Sequence, residues 1–326
     1  MNKIKNIIKF PFKVIRFIIK ILFESIKDPA FFNLIMKYKN SINVHPVIDS
    51  FKQRYFFDYL KKYYFDNKSE LNFLKLLEQP SVDIKKPVIW TCWFQGLENA
   101  NDIVKSCIKS MKNYSGDYEV IVITEDNMYN YVRFPDYIIK KYKAGIISKT
   151  YFSDLIRLQV LINFGGVWAD STVLFSDKIP DYILDSELFF FKSSNVDLIT
   201  FLPGSSWFIS ARKNNPLLIK LLNLLIRYSE KENKLLHYYI FHISLLILIK
   251  HDDESRTIWN KIYYKNNSDP HVLQFTLFEE FNNELLNHIF ALSFAHKLSY
   301  YFSNNDNELF TKENTFYKYI TEVLFN

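Results

Sequence analysis

The chain has 326 residues, 48% of them apolar and 18% aromatic, with a formal net charge of +6. That is enough apolar material for one large domain or two ordinary ones, and it excludes a disordered chain. Cys92 and Cys107 are too few, and wrongly spaced, for a disulfide framework or a zinc knuckle, so a reducing cytoplasm is the expected compartment.

The charge is unevenly placed. Residues 1–40 hold Lys3, Lys5, Lys9, Lys13, Arg16, Lys20, Lys27, Lys37 and Lys39 against only Glu24 and Asp28. The remainder is close to neutral, which argues against an extended nucleic-acid surface. In "MNKIKNIIKFPFKVIRFIIKILF" the charges at Lys5, Lys9, Lys13, Arg16 and Lys20 recur at helical spacing, while Ile4, Ile8, Ile15, Ile18, Ile19 and Leu22 take most of the remaining surface. Such a helix lies flat on an anionic leaflet with its lysines among the headgroups. A lysine in every turn forbids a membrane span and also interrupts any signal-peptide core. Docking of the helix on its own domain is the plainer reading; contact with the inner leaflet is preferred. Residues 49–79 continue in helical pattern, so residues 1–80 are expected to form a basic, amphipathic, helical appendage ahead of a second domain over 81–326.

At Pro87 the texture changes. "PVIWTCWFQG" predicts a strand ending in a loop, "ENANDIVKSCIKSMKNY" a helix, and "YEVIVITED" a buried parallel strand. Strand, helix, strand with short joints is an α/β unit, whose ligands bind beyond the C-terminal strand ends, here around Trp93, Phe94, Gln95 and Gly96 and around Glu125 and Asp126. From Phe152 to Phe164 the apolar positions fit a helix packed on the sheet, capped by Ser153 or Thr150 and closed by Gly165 and Gly166. "VWADSTVLF" then predicts a strand. "ELFFF" and "VDLITF" predict further short strands, "SSWFISARKNNPLLIKLLNLLIRYSE" a strand, a turn and a helix begun by Pro216, and residues 234–250 another helix. The chain contains neither GxGxxG nor GxxxxGK[ST], so no dinucleotide fingerprint or P-loop explains a nucleotide site.

The chemistry concentrates in "YFSDLIRLQVLINFGGVWADST". Asp154 and Arg157, three apart on a helix, can orient each other. The glycines turn the chain back and bring Asp170 toward the helix it has left. A carboxylate can accept from two sugar hydroxyls and an arginine can donate a bidentate pair to an anionic oxygen, so the set suits a polyol bearing a phosphate. Asp170 and Thr172 are spaced to meet a hard divalent ion that would neutralise a departing diphosphate. Singly, each residue reads as easily as an ordinary salt bridge or turn bond; together, beside the Gly-Gly turn, they point to a site.

"SDLIRLQVLINFGGVWADST" resembles a segment of glycosyltransferases of the DXD-containing sugar-binding class, family 32-like, in their capsular polysaccharide synthesis branch. "IWTCWFQGLENANDIVKSCIKSM" resembles that branch's first strand and helix, and "SSWFISARKNNPLL" and "HKLSYYF" its later blocks. The likeness covers about residues 86–300. It implies an α/β fold of GT-A type, Rossmann-like and nucleotide-sugar-binding, with a mostly parallel central sheet. It also implies a nucleotide-sugar donor, first of all a UDP-sugar, and Mn²⁺ or Mg²⁺. By the same resemblance Trp93 stacks on the base beside Gln95, and Asp154 and Arg157 touch the donor sugar and its phosphate side. Asp170 and Thr172 correspond to the metal motif, with threonine in place of its second aspartate. His296 is the expected further metal ligand, and Lys297 beside it a phosphate contact. His242 is either on the acceptor side or a core or surface histidine, and Trp207 is either a sugar platform or core.

The expected activity is transfer, with retention, of a sugar to a lipid-linked or growing surface-polysaccharide acceptor, by an enzyme held peripherally on the cytoplasmic face of the membrane. A sugar-phosphate transferase, a catalytically inactive scaffold homologue, and a peripheral membrane or nucleic-acid binding module without catalysis are the alternatives; the missing second aspartate is the scaffold's best support, and the module would leave residues 151–172 unexplained.

Overall fold

The computed structural model describes residues 45–66, 82–193, 202–301 and 309–325. The basic stripe over 1–40 and the strand expected at "VDLITF" lie outside them. Five strands form the main sheet: β1 (Val88–Cys92), β2 (Glu119–Ile123), β3 (Gly166–Ala169), β5 (Leu188–Lys192) and β6 (Gly204–Ala211), in the order β2-β1-β3-β6-β5. β1 pairs in parallel with β2 and β3, whereas β6 pairs antiparallel with β3 and β5. The sheet is therefore mixed, not mostly parallel as expected. The reason lies in the spacing: β5 ends at Lys192 and β6 begins at Gly204, a connection shorter than the dozen or more residues that a parallel crossover needs.

Alternation along the strands sends side chains to two cores. Trp90, Trp168, Phe190 and Ile209 face one side, against the helices α1 (His45–Leu60), α4 (Lys149–Phe164), α5 (Pro216–Lys231) and α6 (Ile240–His251). Ile89, Val167, Phe189 and Phe208 face the other, against a two-stranded ribbon of β4 (Val173–Phe175) and β7 (Ala295–Lys297). α2 (Asp102–Asn113) packs on that ribbon, and α3 (Asp136–Lys143) packs on α5. The helices α7 (Asp253–Lys261) and α8 (Asn283–Leu292) follow toward the C-terminus, with shorter helical segments at Val272–Thr276 and Phe316–Lys318. Both sheet faces are covered, which explains why the strands read as continuous apolar runs.

The domain boundary expected near residue 80 falls in 67–81, outside the described residues. What is described before it is not peripheral: Phe56, Phe57 and Leu60 of α1, and Tyr64 just after it, are buried in the helix-side core. Among the described residues no helix is long and apolar enough to cross a membrane.

α4 is buried on almost every side, with Asp154, Arg157, Gln159 and Asn163 inside as well as its leucines and isoleucines. Its cap is Ser148, whose Oγ accepts from the Tyr151 N–H at 3.2 Å, and not Ser153 or Thr150, which lie within the first turns. At its other end Gly166 adopts φ 94°, and a Cβ there would stand 2.3 Å from the Val88 carbonyl oxygen. Only glycine lets β3 close on β1 directly after the helix. The strand expected over "VWADSTVLF" is two: the Val173 N–H donates to the Asp170 carbonyl at 2.9 Å, and the chain turns out of the main sheet into β4. The helix expected from 234 starts at Ile240.

Candidate functional site

Because β1, β2 and β3 run together, their C-terminal ends share one edge of the sheet. There a cleft of about 460 Å³ opens, and its lining includes Trp93, Gln95, Arg157, Asp170, Thr172 and Lys297. Trp93 and Gln95 follow β1, Asp170 follows β3, Arg157 comes up from α4, and Lys297 ends β7.

Arg157 is the centre. It is 3% exposed and bonded on both sides. One terminal nitrogen donates to Asp154 Oδ1, and the other donates to Asp170 Oδ1 at 2.9 Å. Its guanidinium carbon lies 4.9 Å from the Trp168 ring centroid and 5.7 Å from that of Phe241, an arrangement that adds cation–π attraction. The indole N–H of Trp168 donates to the same Asp170 oxygen at 2.8 Å, and the Asp170 backbone N–H donates to the Trp207 carbonyl at 2.8 Å. The aspartate is thus fixed by side chain and main chain together.

Asp154 does not line the cleft. It sits behind Arg157, where burial pushes its carboxyl up to about 6, with Arg157 opposing that rise and Asp170 adding to it. In this position it holds Arg157 and is not placed to meet donor hydroxyls, the role expected of it.

On the same cleft, the Lys297 ammonium donates to Thr172 Oγ1 at 2.6 Å and to the Leu298 carbonyl at 3.0 Å. The register of the ribbon sets this arrangement: Lys297 pairs with Val173, and the Leu298 N–H donates to the Thr172 carbonyl at 2.8 Å. Burial lowers the lysine's affinity for its proton, and Asp170 partly opposes that.

His296, the expected further metal ligand, lies elsewhere than Lys297. Adjacent residues of a strand face opposite sides, so with Lys297 turned to the cleft, His296 points away from it. The ring is fully buried, its Nε2 is 3.0 Å from Ser176 Oγ, and it packs on Phe290. Burial pushes its pKa down to about 4, which keeps it neutral.

The expected Mn²⁺ or Mg²⁺ is tested by this donor set. Asp170 Oδ1 already accepts from Arg157 and Trp168, Thr172 Oγ1 already accepts from an ammonium, and His296 is on the far side. Among the described residues no three His, Cys, Asp or Glu side chains are grouped to hold a metal ion. The residues present do not fit a divalent ion at Thr172, because a cation is bonded to that oxygen already.

The acceptor-side residues also fall away from the lining. Trp207 is core: it is 6% exposed, stacks on Phe191 at 4.9 Å and donates to Asn267 Oδ1 at 3.2 Å. His242 on α6 has a buried Nδ1 without a partner, and burial with Arg157 nearby pushes its pKa down to about 3. Sequence reasoning passed over Tyr238, Tyr300, Ser153 and Lys149, all on the lining. Tyr300 stands edge-on to Trp93, with ring centroids 5.2 Å apart. Lys149, Ser153 and Arg157 recur every four residues on α4, a polar stripe on an otherwise buried helix, and that spacing was the available signal.

Among known proteins, the model of the family described as capsular polysaccharide synthesis protein matches residues 36–320. The match reaches about fifty residues further toward the N-terminus than the segments that carried the resemblance. A solved structure described as the PaToxG glycosyltransferase is 17% identical over 67% of this chain and 84% of its own, with a TM-score of 0.35. A solved transferase mutant is 12% identical over 56% of this chain and 93% of its own, with a TM-score of 0.31. No curated protein matches the chain.

Proposed function

The chain belongs to the capsular polysaccharide synthesis protein family, and on that premise we propose that it is a glycosyltransferase of GT-A type. It takes a sugar from a nucleoside diphosphate donor, first of all a UDP-sugar, and gives it to a lipid-linked or growing surface-polysaccharide acceptor. One observation carries this reading: Arg157, bridged between Asp154 and Asp170, shares a single open cleft with Lys297 at the C-terminal edge of the parallel strands. Cations, a carboxylate and an aromatic rim are what a nucleoside diphosphate sugar requires, since the transition state needs its leaving diphosphate stabilised and its sugar held.

In this reading the base lies against Trp93 and Tyr300, near Gln95. The diphosphate lies between Arg157 and Lys297, and Asp170, the carboxylate on the lining, accepts from donor hydroxyls. The bond between the anomeric carbon and the diphosphate oxygen breaks with its electron pair leaving on oxygen. The acceptor hydroxyl oxygen forms the new bond to that carbon, and its proton passes to the departing diphosphate. The products are a glycoside and a nucleoside diphosphate. Asp170, the carboxylate on the lining, is tied to Arg157 and is not presented as a free nucleophile, so departure and attack on one face, with retention, is the favoured course. The basic segment over 1–40 supports peripheral contact with the anionic inner leaflet, next to a lipid-linked acceptor.

A donor-hydrolysis screen tests this. UDP-, GDP-, ADP- and dTDP-sugars are incubated with the protein, and release of nucleoside diphosphate is followed. Slow release from one donor, lost in Arg157→Ala, is expected. No release from any donor, with or without a saccharide acceptor, would leave the scaffold reading in its place.

A further inference from the structure

The disagreement between the expected metal motif and the donor set leads to a specific assignment, which rests on the nucleoside diphosphate reading above. We propose that Lys297 is the cation that binds the donor diphosphate, standing where a divalent ion would otherwise be bound, so that donor binding proceeds without a metal.

The two cations facing the cleft differ in how their charge is met. Arg157 bonds to two carboxylates directly. Lys297 donates only to a hydroxyl and a backbone carbonyl, both uncharged, and forms no ion pair among the described residues. An ammonium has three N–H donors, and these hydrogen bonds use two. A half-buried ammonium without a directly bonded counter-ion is costly to maintain. It is accounted for if an anion completes the set on binding. The open side of Lys297 is the cleft itself, whose lining also includes Arg157. An anion with two phosphoryl groups can meet both.

Thr172 acquires a role in the same arrangement. At the position of the motif's second aspartate, a carboxylate beside the lysine would neutralise the ammonium before any donor arrived. The threonine hydroxyl fixes the ammonium's place and leaves its charge uncompensated. The unusual residue in the motif and the lysine on β7 are therefore one device. As the glycosidic carbon–oxygen bond breaks, the negative charge collecting on the diphosphate falls beside a cation the fold already holds in position, which requires no reorganisation.

Calorimetric titration of the full-length chain with UDP, GDP, ADP and dTDP, first in EDTA and then in excess Mn²⁺, tests the assignment. The nucleotide that binds should do so with dissociation constants within about threefold in the two conditions. Lys297→Met and Lys297→Ala should each weaken binding in EDTA by about tenfold or more, as loss of a charge pair does. Lys297→Arg should retain most of the affinity, and ethylammonium should restore part of it to Lys297→Ala, which a purely structural lysine would not allow. Thr172→Val should weaken binding less than Lys297→Met. Circular dichroism and thermal melting establish that each variant is folded. Binding that appears only with Mn²⁺, or a folded Lys297→Met that binds like the wild type, overturns the assignment while leaving the donor class intact. No binding of any nucleotide in either condition removes both.

Discussion

Arg157 and Lys297 face one cleft, yet the fold treats their charges in opposite ways. The arginine rises from a helix buried on nearly every side and is held by two carboxylates and two aromatic rings. The lysine ends a three-residue strand in a two-stranded ribbon and rests on two neutral oxygens. In the first region the charge is paired within the protein, and the pairing is part of what holds α4, β3 and α6 together. In the second the charge is left open toward solvent and ligand. A shared location at the cleft therefore does not imply a shared function: one cation is chiefly architecture with an edge on the site, the other chiefly site.

The strongest way to break that comparison is to remove one member of each region. Asp154→Ala leaves Arg157 buried with one of its two carboxylates gone, and breaking a buried pair of this kind costs about 3–5 kcal/mol. Urea denaturation should show a loss of that order. Lys297→Met, similar in length and apolar, should cost no more than about 1 kcal/mol, because replacing a buried ion by an apolar group of like volume is often neutral. Equal losses in the two variants would mean that both cations are structural.

The pH dependence sharpens the same contrast. In the fold the Asp154 carboxyl is pushed up to about 6 from an ordinary 3.8, burial being the larger cause. The native protein therefore takes up this proton before the unfolded chain does. The part of the Asp154 contribution that is linked to this proton is fully present below about pH 4 and is lost as the pH rises through about 6, where the pairing with Arg157 remains. Measured against Asp154→Asn, the wild type should gain ground steadily on acidification through that window. A difference independent of pH would show that the carboxyl is not desolvated as its burial requires.

How far the sequence revealed the two regions follows the same line. The arginine network was legible because its parts lie close in the chain: Asp154 and Arg157 are one helical turn apart, and the Gly-Gly turn delivers Asp170 to them. The α/β order and the helix begun by Pro216 were legible from periodicity and breakers. The direction of β6 was not, because local pattern fixes a strand but not its partner. Nor was the lysine's partner: Thr172 and Lys297 are far apart in the chain and meet only through the register of β4 and β7. His296 was misplaced for a related reason, since neighbouring residues on a strand face opposite ways and only the pairing decides which one faces the ligand. Tyr300 shows the limit from another side. Its block was recognised, but nothing local announces that a tyrosine near the C-terminal ribbon stands edge-on to Trp93 after β1.

That aromatic pair supplies a smaller effect. If the base rests on Trp93, Trp93→Ala should weaken nucleotide binding by about 1–3 kcal/mol, the range for one stacked base, and should do so equally in EDTA and Mn²⁺. Tyr300→Ala should cost less, since it removes only the edge-on partner. Calorimetry against the nucleotide that binds the wild type checks both. A Trp93→Ala variant with unchanged affinity would move the base elsewhere on the rim.

The smallest expected effect discriminates between the two faces of β7. His296→Gln keeps a polar group able to meet Ser176 and removes the imidazole that the resemblance places on a metal. Because the ring is fully buried on the side away from the cleft, this change should leave nucleotide affinity within about twofold of wild type. Truncating a side chain that is charge-paired with the ligand would instead cost about 2 kcal/mol or more. The variant will lose some stability, since it disturbs packing on Phe290, so the readout must be affinity of the folded protein at a temperature well below its melting point. The comparison is with Lys297→Met, one residue along the strand. If His296→Gln abolishes binding and Lys297→Met does not, β7 presents its other face to the ligand, and the open charge of this cleft would have to be assigned to a different residue. If the order is as expected, the alternation of a three-residue strand decides which of two neighbouring basic side chains serves the site.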